Sequence, residues 1–509
     1  MLTNRRDLLK LSSALALVAG AGLNAPMLAQ SSATLVYATG TDASSLDPQF
    51  SSDLPTIRMV RAIHETLVSA DKGEIEGVLA TEWSVGEDKT TWTFKLRPNV
   101  KFHDGTPFTS KAVKYSFERL VDPATGSPHK SSGNIIASID TPDDLTVVIR
   151  TSSPFAPFLA QLTAYSMSIL SPSAASVPVK EYGQKPIGTG AFKLGSWTPG
   201  EKLTLVANDA YWGTKPKLGT VEVRVVPEDS ARVLMLLSGQ AHVVSNIPPA
   251  LAPRVESTAN AGLLREQSFR SIYVAMNVKM EPFDDIKVRQ AISLAIDKDA
   301  LIKGVMRGMA TASGSFDSPT IAGSVNYPLD PFDLAKAKQL LAEAGYPDGF
   351  STDFYIPTGR YTNDRQLGEA IQAQLARVGI KVNLVSPEFA TYQAMLRGKD
   401  KIAFYMLGKG NSTGDLDFTL NLVRRTGGSI NYNNYSNPKV DELIAQQRIE
   451  VNAEKRNAML KDIQELMQKD FGSFVLFYDN QIYGVAKSVG GLEVYPNEFI
   501  NFANASLKA

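Results

Sequence analysis

Between Phe354 and Leu407, three strand-like runs alternate with two helix-like ones, and this order restricts the fold more than any other feature of the chain. Phe354-Tyr355-Ile356 is short and apolar. Pro357–Asn363 then leads to a helix in which Leu367, Ile371, Leu375 and Val378 recur at helical spacing, with Gly379 as its stop. Ile380–Leu384 alternates as a strand, and a short helix is expected from Glu388 to Arg397. Ile402–Leu407 is a six-residue apolar run that suits a strand buried on both faces. Crossovers of this length join parallel strands, so the class is α/β. The last run stops at Gly408-Lys409-Gly410-Asn411-Ser412-Thr413-Gly414-Asp415, where three glycines let backbone approach a partner closely. Ligands of open α/β sheets sit beyond the carboxyl ends of the strands. The Arg360 loop and the 408–415 loop are expected to leave the same sheet edge and face one crevice; a solvated surface turn is the alternative.

With 509 residues the chain has room for two or three domains. Lysine plus arginine equals aspartate plus glutamate at 52 each, so no bulk field draws it to nucleic acid or a bilayer. The absence of cysteine excludes disulfides, thiolate metal sites and cysteine nucleophiles. At the N-terminus Arg5, Arg6 and Lys10 accompany a mostly apolar stretch from Leu8 to Leu23, followed by small residues near Ala29 and Ala33. This is the layout of an export signal over residues 1–30, too short to span a membrane. Asn4–Lys10 resembles a twin-arginine signal but departs from it at Asn4 and Leu8, and Met27 blurs the cleavage point. A soluble periplasmic protein is expected, with no cysteine to carry a lipid anchor and no direct membrane insertion.

Elsewhere the motifs point away from catalysis. His64-Glu65 opens the zinc-protease pattern, but Val68 stands where the second histidine belongs. Gly188 and Gly190 are spaced for a phosphate loop that is not completed. Ser69–Lys72 and Ser127–Lys130 have S-x-x-K spacing without partner motifs. No G-x-S-x-G elbow occurs. The four histidines (His64, His103, His129, His242) do not pair at ligand spacing, so neither a metal nor a cofactor is expected. The strand Leu35–Ala38 ends in hydroxyl-rich Gly40–Pro48, which makes Thr41, Asp42 and Ser44 candidate contacts. Thr91–Arg97 alternates as a half-buried strand.

Pro282–Ala291, running into Ile292–Asp297, resembles the family-five solute-binding proteins of ABC importers. Leu46–Pro48, Leu79–Trp83, Lys101–Pro107, Ile187–Gly190, Leu340–Gly349 and the Arg360 loop match that family in order, so the resemblance spans roughly Thr34 to Phe502. It implies a two-lobed periplasmic-binding-protein fold (type II-like, cluster C), each lobe a mixed sheet flanked by helices. Residues 31–275 would form lobe I with an inserted subdomain at about 81–186. Residues 276–479 would form lobe II, and 480–509 would return to lobe I. The chain would cross near Tyr273–Asn277 and Tyr478–Tyr483, and the lobes would close by hinge motion. Arg289 and Asp297 are read as packing and capping residues. A monomer serving an inner-membrane permease is implied.

The resemblance also bears on ligand class. Arg360 matches the arginine that pairs a ligand carboxylate, with Tyr361 beside it. In the dipeptide-binding branch a Trp stands at the position of Lys409. An Asp that holds the ligand ammonium stands at that of Ser412. A neutral hydroxyl contributes roughly 0.5–1.5 kcal/mol against 1.5–3 for an ionic partner, so ammonium capture at Ser412 would weaken by about tenfold or more. Lys409 opposes it further, unless that lysine lies on the surface. Lys409, Gly410, Asn411, Ser412 and Asp415 are the candidate contacts of this loop. Ser131 and Asn134 join them because Ser127–Asn134 resembles a ligand-reaching stretch of the first lobe. The expected ligand is a small acidic solute, a modified or glutathione-like peptide or an opine-like conjugate. An ordinary dipeptide or oligopeptide is the alternative, and a periplasmic enzyme or peptide-binding chaperone a lower one.

Overall fold

Two long strands, Ala261–Met276 and Ser473–Ala486, run antiparallel to each other through the middle of the molecule, with register shifts between Gln267 and Ser271 and between Ile272 and Tyr273. The computed structural model describes residues 33–50, 54–72, 74–358, 360–387, 389–398 and 402–508; the export signal expected over residues 1–30 lies outside them. Beside Ala261–Met276 lie Phe404–Lys409, Ser351–Tyr355 and Lys381–Val385. Beside Ser473–Ala486 lie Val243–Val244, Thr34–Thr39, Thr220–Val225, Lys202–Ala207 and Phe192–Thr198. The expectation of one mixed sheet per lobe is therefore met by one 11-stranded sheet with two ends. The crossing strands pair along most of their length, so hydrogen bonding does not break between the halves.

Each end has its own core. At one, Val274, Met276, Phe354, Phe404 and Met406 pack against Val288, Ile292, Leu341, Leu367 and Ile371 from the helices Ile286–Ala295, Leu334–Glu343 and Asp364–Ala376. Ser351–Tyr355 is parallel to both Lys381–Val385 and Phe404–Lys409, as the helical crossovers require. At the other end Leu35, Tyr37, Phe192, Leu205 and Val221 form the core. A separate antiparallel sheet, in the order Ala80–Val85, Thr91–Leu96, Thr146–Thr151, Ile136–Asp143, packs on the helix Ser110–Val121 through Phe94, Val147, Val113 and Phe117.

Several motifs resolve into packing. Gly188 and Gly190 lie against the backbone of the helix Leu54–Ile63, where an added Cβ would stand 2.0 Å from the Ile63 carbonyl oxygen and 2.5 Å from that of Ala62. That close approach, not phosphate, explains the pair. His64 is a core residue bonded through Nε2 to the Tyr182 hydroxyl at 2.9 Å, and burial lowers its pKa to about 3. The Arg289 guanidinium donates to the carbonyls of Asp470, Phe283 and Asp284, and Asp297 caps the turn at Lys298–Ala300. The helices Pro438–Ile449 and Ala453–Asp470 present Val440, Leu443, Leu460 and Ile463 to Leu416 and Leu420, beneath the 408–415 segment.

Candidate functional site

Strand pairing sets the two faces of Phe404–Lys409. Directly opposed residues of an antiparallel pair share a face, and here Gly408 opposes Ile272, Leu407 opposes Tyr273 and Lys409 opposes Ser271. Gly408 and Lys409 are thus strand rather than loop, because the crossing strand continues past the point where the apolar run ends. On the Gly408 face the Tyr361 ring lies so close that an added Cβ would stand 2.6 Å from it. Its hydroxyl accepts from the Gly408 N–H at 2.7 Å and faces the Gly408 carbonyl at 3.3 Å. Only glycine leaves room for this contact, which fixes the Arg360 loop to the strand.

Arg360 is half-buried, its guanidinium 5.2 Å from the centroids of both the Tyr361 and Phe389 rings, and no ion pair holds it among the described residues. Burial, reinforced by Arg270, lowers its pKa. Arg270 also stacks on Tyr361, but pairs with Asp479 at 3.3 Å and with Glu498. Arg58 lies 3.9 Å from Glu498 and donates to the hydroxyls of Tyr37 and Tyr483. Three guanidinium groups therefore share two carboxylates, and Arg360 is the one left over. Burial, partly offset by Arg270 and reinforced by Glu498, pushes the Asp479 carboxyl up to about 6.

The loop beyond Lys409 organises itself. Asn411 Oδ1 accepts from the N–H groups of Thr413 and Gly414, both at 3.0 Å, and its Nδ2 donates to the Asp415 carbonyl at 2.8 Å. Asp415 accepts from the Asp417 N–H and forms a two-pronged pair with Arg456 at 2.7 and 2.8 Å. Of the expected contacts, Asn411, Asp415 and the Tyr361 hydroxyl thus have their polar atoms engaged inside the protein. Ser412 is half-buried and its hydroxyl has no hydrogen bond among the described residues, and Gly410 has open space around it. Lys409 is also half-buried rather than fully exposed. Its ammonium lies 4.5 Å from the Phe418 ring centroid without an ion pair among the described residues, and burial, countered by Asp317, lowers it to about 8.

Across from Gly414 is Ala70, whose Cβ would lie 3.8 Å from a Cβ at that glycine. Asp71 beside it pairs with Arg61 and accepts from Asn497. Two contacts are thus fixed: Tyr361 holds the Arg360 loop to the strand at Gly408, and the 410–415 loop meets this wall at Gly414. The remaining candidates belong to other segments of the chain. Asp42 accepts from the N–H groups of Ala43 and Gly200 and from Trp197 Nε1, so it fixes its own loop. Thr41 borders a small cavity with Tyr37 and Arg58, and the Ser44 N–H donates to Thr56 Oγ1. Ser131, in the short helix Lys130–Gly133, and Asn134 after it are exposed, and no hydrogen bond joins either to Arg360 or Lys409. Sequence reasoning missed Arg58, Arg270, Asp479 and Glu498. One left a signal, because Asp479 is the one charge in the strand Ser473–Ala486.

One mixed sheet with a core at each end, carrying two half-buried cations that have no ion pair among the described residues, suits a binding protein. The comparisons agree. The pattern of bacterial extracellular solute-binding proteins, family 5, matches residues 74–431. The glutathione-binding protein GsiB of Pectobacterium atrosepticum is 32% identical over 500 residues, covering 96% of this chain and 97% of that protein. The periplasmic binding protein DppA of Helicobacter pylori, solved with the peptide STSA, superposes with a TM-score of 0.83 at 30% identity, covering 94% of this chain and 98% of that one. AgaA of A. tumefaciens R10, solved with agropinic acid, gives a TM-score of 0.81 at 27% identity, covering 94% and 99%. The chain belongs to the family 5 extracellular solute-binding proteins and has their two-lobed fold. Among the described residues no helix is long and apolar enough to cross a membrane.

Proposed function

We propose that this protein is the exported, monomeric binding component of an ABC importer. It captures a small acidic peptide-like or opine-like solute between its two lobes and hands it to an inner-membrane permease. Lobe I comprises 31–275 with an inserted part at about 81–186, lobe II comprises 276–479, and 480–509 returns to lobe I. The observation that carries the reading is the charge count at Arg360: three buried or half-buried guanidiniums face two carboxylates. A carboxylate brought by the solute supplies the missing charge, in a site dry enough for such a pair to contribute appreciably. Relatives that bind glutathione and agropinic acid are in keeping with an acidic solute. Family membership also favours binding without turnover.

A plain dipeptide is the second reading, favoured by the structural neighbours solved with the peptides STSA and Met-Leu. Ser412 disfavours it, since a lone hydroxyl offers no charge to a ligand ammonium. Calorimetry against glutathione, agropinic acid and Met-Leu separates the two. One-to-one binding of an acidic solute, lost in Arg360→Met, is the expected result. Preference for Met-Leu would move the function to the second reading, and product formation would reject both.

A further inference from the structure

Behind Lys409 the same sheet face carries a second set of polar groups without partners. Lys409 opposes Ser271, Leu407 opposes Tyr273, and Tyr273 opposes Val475 on the other crossing strand. Ser271 Oγ and the Tyr273 hydroxyl, both on residues 1% exposed, have no hydrogen-bond partner among the described residues. The Phe316 ring stands edge-on to Tyr273, centroids 4.8 Å apart, and lies 3.6 Å from the guanidinium of Arg424. Arg424 is 5% exposed; one of its terminal nitrogens donates to Ser473 Oγ at 2.6 Å and its Nε is unpartnered. It lines a cavity of about 40 Å³ with Phe316, Asp317, Tyr327, Ser473 and Val475, and the Tyr327 hydroxyl is also buried and unpartnered.

Hydrogen bonding by water would satisfy the hydroxyls but not the charge. A buried cation lacking a counter-ion is costly, and the penalty falls when an anion joins it. The carboxylate that acts on Arg424 is Asp317, which is also the one that acts on Lys409. Asp317 is itself buried and accepts from Thr419 Oγ1 at 2.6 Å. Two cations therefore share one carboxylate here, just as three share two around Arg360. Each cluster is short by one negative charge.

We propose that the region between Lys409 and Arg424 is a second acid-receiving subsite, and that the solute is a dicarboxylate. One acid group lies on Arg360, and the other is held by Lys409 and Arg424 with the Ser271 and Tyr273 hydroxyls as further donors. The inference rests on the reading of Arg360 as the first carboxylate partner. It adds that a solute with one acid group leaves the deeper cluster uncompensated.

Calorimetry with glutathione, which has two carboxylates, and Met-Leu, which has one, tests this on the wild type and on Arg424→Met, Tyr273→Phe and Arg360→Met. Arg424→Met is expected to weaken glutathione by about 10- to 100-fold, the range of one charge-assisted bond, and to leave Met-Leu within twofold. Tyr273→Phe removes one donor without changing shape, so glutathione is expected to weaken by about fivefold with the melting temperature unchanged. Arg360→Met should lose both probes; if it does not, the first-carboxylate reading fails, whatever Arg424 does. Equal loss of both probes in Arg424→Met, or wild type that holds Met-Leu as tightly as glutathione, overturns the subsite. Should neither probe bind, the small molecule released from protein purified from its native periplasm decides. Two acid groups support the subsite and one overturns it.

Discussion

The backbone N–H of Ala156 donates to the carbonyl of Arg448 at 2.7 Å, joining the part of the chain built on the four-stranded sheet to the C-terminal end of the helix Pro438–Ile449. The Arg448 guanidinium lies 4.8 Å from the Phe155 ring centroid, while its Nε is 3.3 Å from Asp417. Asp417 follows the 410–415 loop almost directly and also accepts from Gln447. One arginine thus connects Asp417, just after the 410–415 loop, to Phe155 in the part built on the four-stranded sheet.

If the walls part when solute leaves, this contact opens with them. Arg448→Ala removes a half-exposed cation–π contact and ion pair, together about 1 kcal/mol. Solute release is expected to speed up about fivefold, with association within twofold. Stopped-flow tryptophan fluorescence measures both. Unchanged release would show that the contact is indifferent to closure.

Lys409 predicts a pH dependence. Its ammonium titrates at about 8 in the free protein, and a bound anion raises that value. Affinity for an acidic solute is therefore complete below pH 8 and declines as pH rises through the higher, bound-state value. Titration calorimetry from pH 6.5 to 10 should show the decline in wild type and not in Lys409→Met. A flat wild-type profile would place the lysine outside the site.

Asp479 has the opposite relation to stability. Its folded pKa is about 6, above its ordinary 3.8, so the folded state binds its proton more tightly. Stability from this group is fully present below pH 3.8 and is lost as pH rises to 6, by at most about 3 kcal/mol. Asp479→Asn should melt with a shallower decline than wild type between pH 4 and 6. Parallel melting curves would mean that Arg270 and Arg360 already compensate the charge.

The alternation of runs from Phe354 to Leu407 was enough to place three strands, two helices and the Arg360 loop, because burial patterns repeat along the chain. Local pattern also put the Arg360 loop and the 408–415 segment at one sheet edge, in keeping with the parallel pairing of Tyr355 with Tyr405. It could not reveal that Asn411 and Asp415 are turned inward. Arg456, the partner of Asp415, is a separate helix and 41 residues away. Nor could it assemble Arg58, Arg270, Asp479 and Glu498, which meet only after both crossing strands and the C-terminal return are in place. Charge balance in this site is a tertiary property. What sequence did offer was misfit: Asp479 is a charge within the run Phe474–Tyr483, and it proved to be buried.

Gly408 supplies the sharpest test of how the Arg360 loop is held. The Tyr361 ring occupies the space where any side chain at 408 would begin, and Arg270 Cδ is 3.0 Å from the same point. Gly408→Ala must therefore displace Tyr361, breaking its bond to the Gly408 N–H, or bend the strand away from Ile272. Overpacking of this kind costs about 1–3 kcal/mol, and moving Tyr361 carries Arg360 with it. Solute affinity is expected to fall at least 30-fold, as it would on losing the guanidinium itself. Tyr361→Phe keeps the ring in place and removes only the hydroxyl, so it should cost about 1 kcal/mol of stability and little affinity. Thermal melts and calorimetry on the two variants distinguish the effects. If Gly408→Ala binds like wild type, the ring contact does not position Arg360, and the guanidinium is held by Phe389 alone.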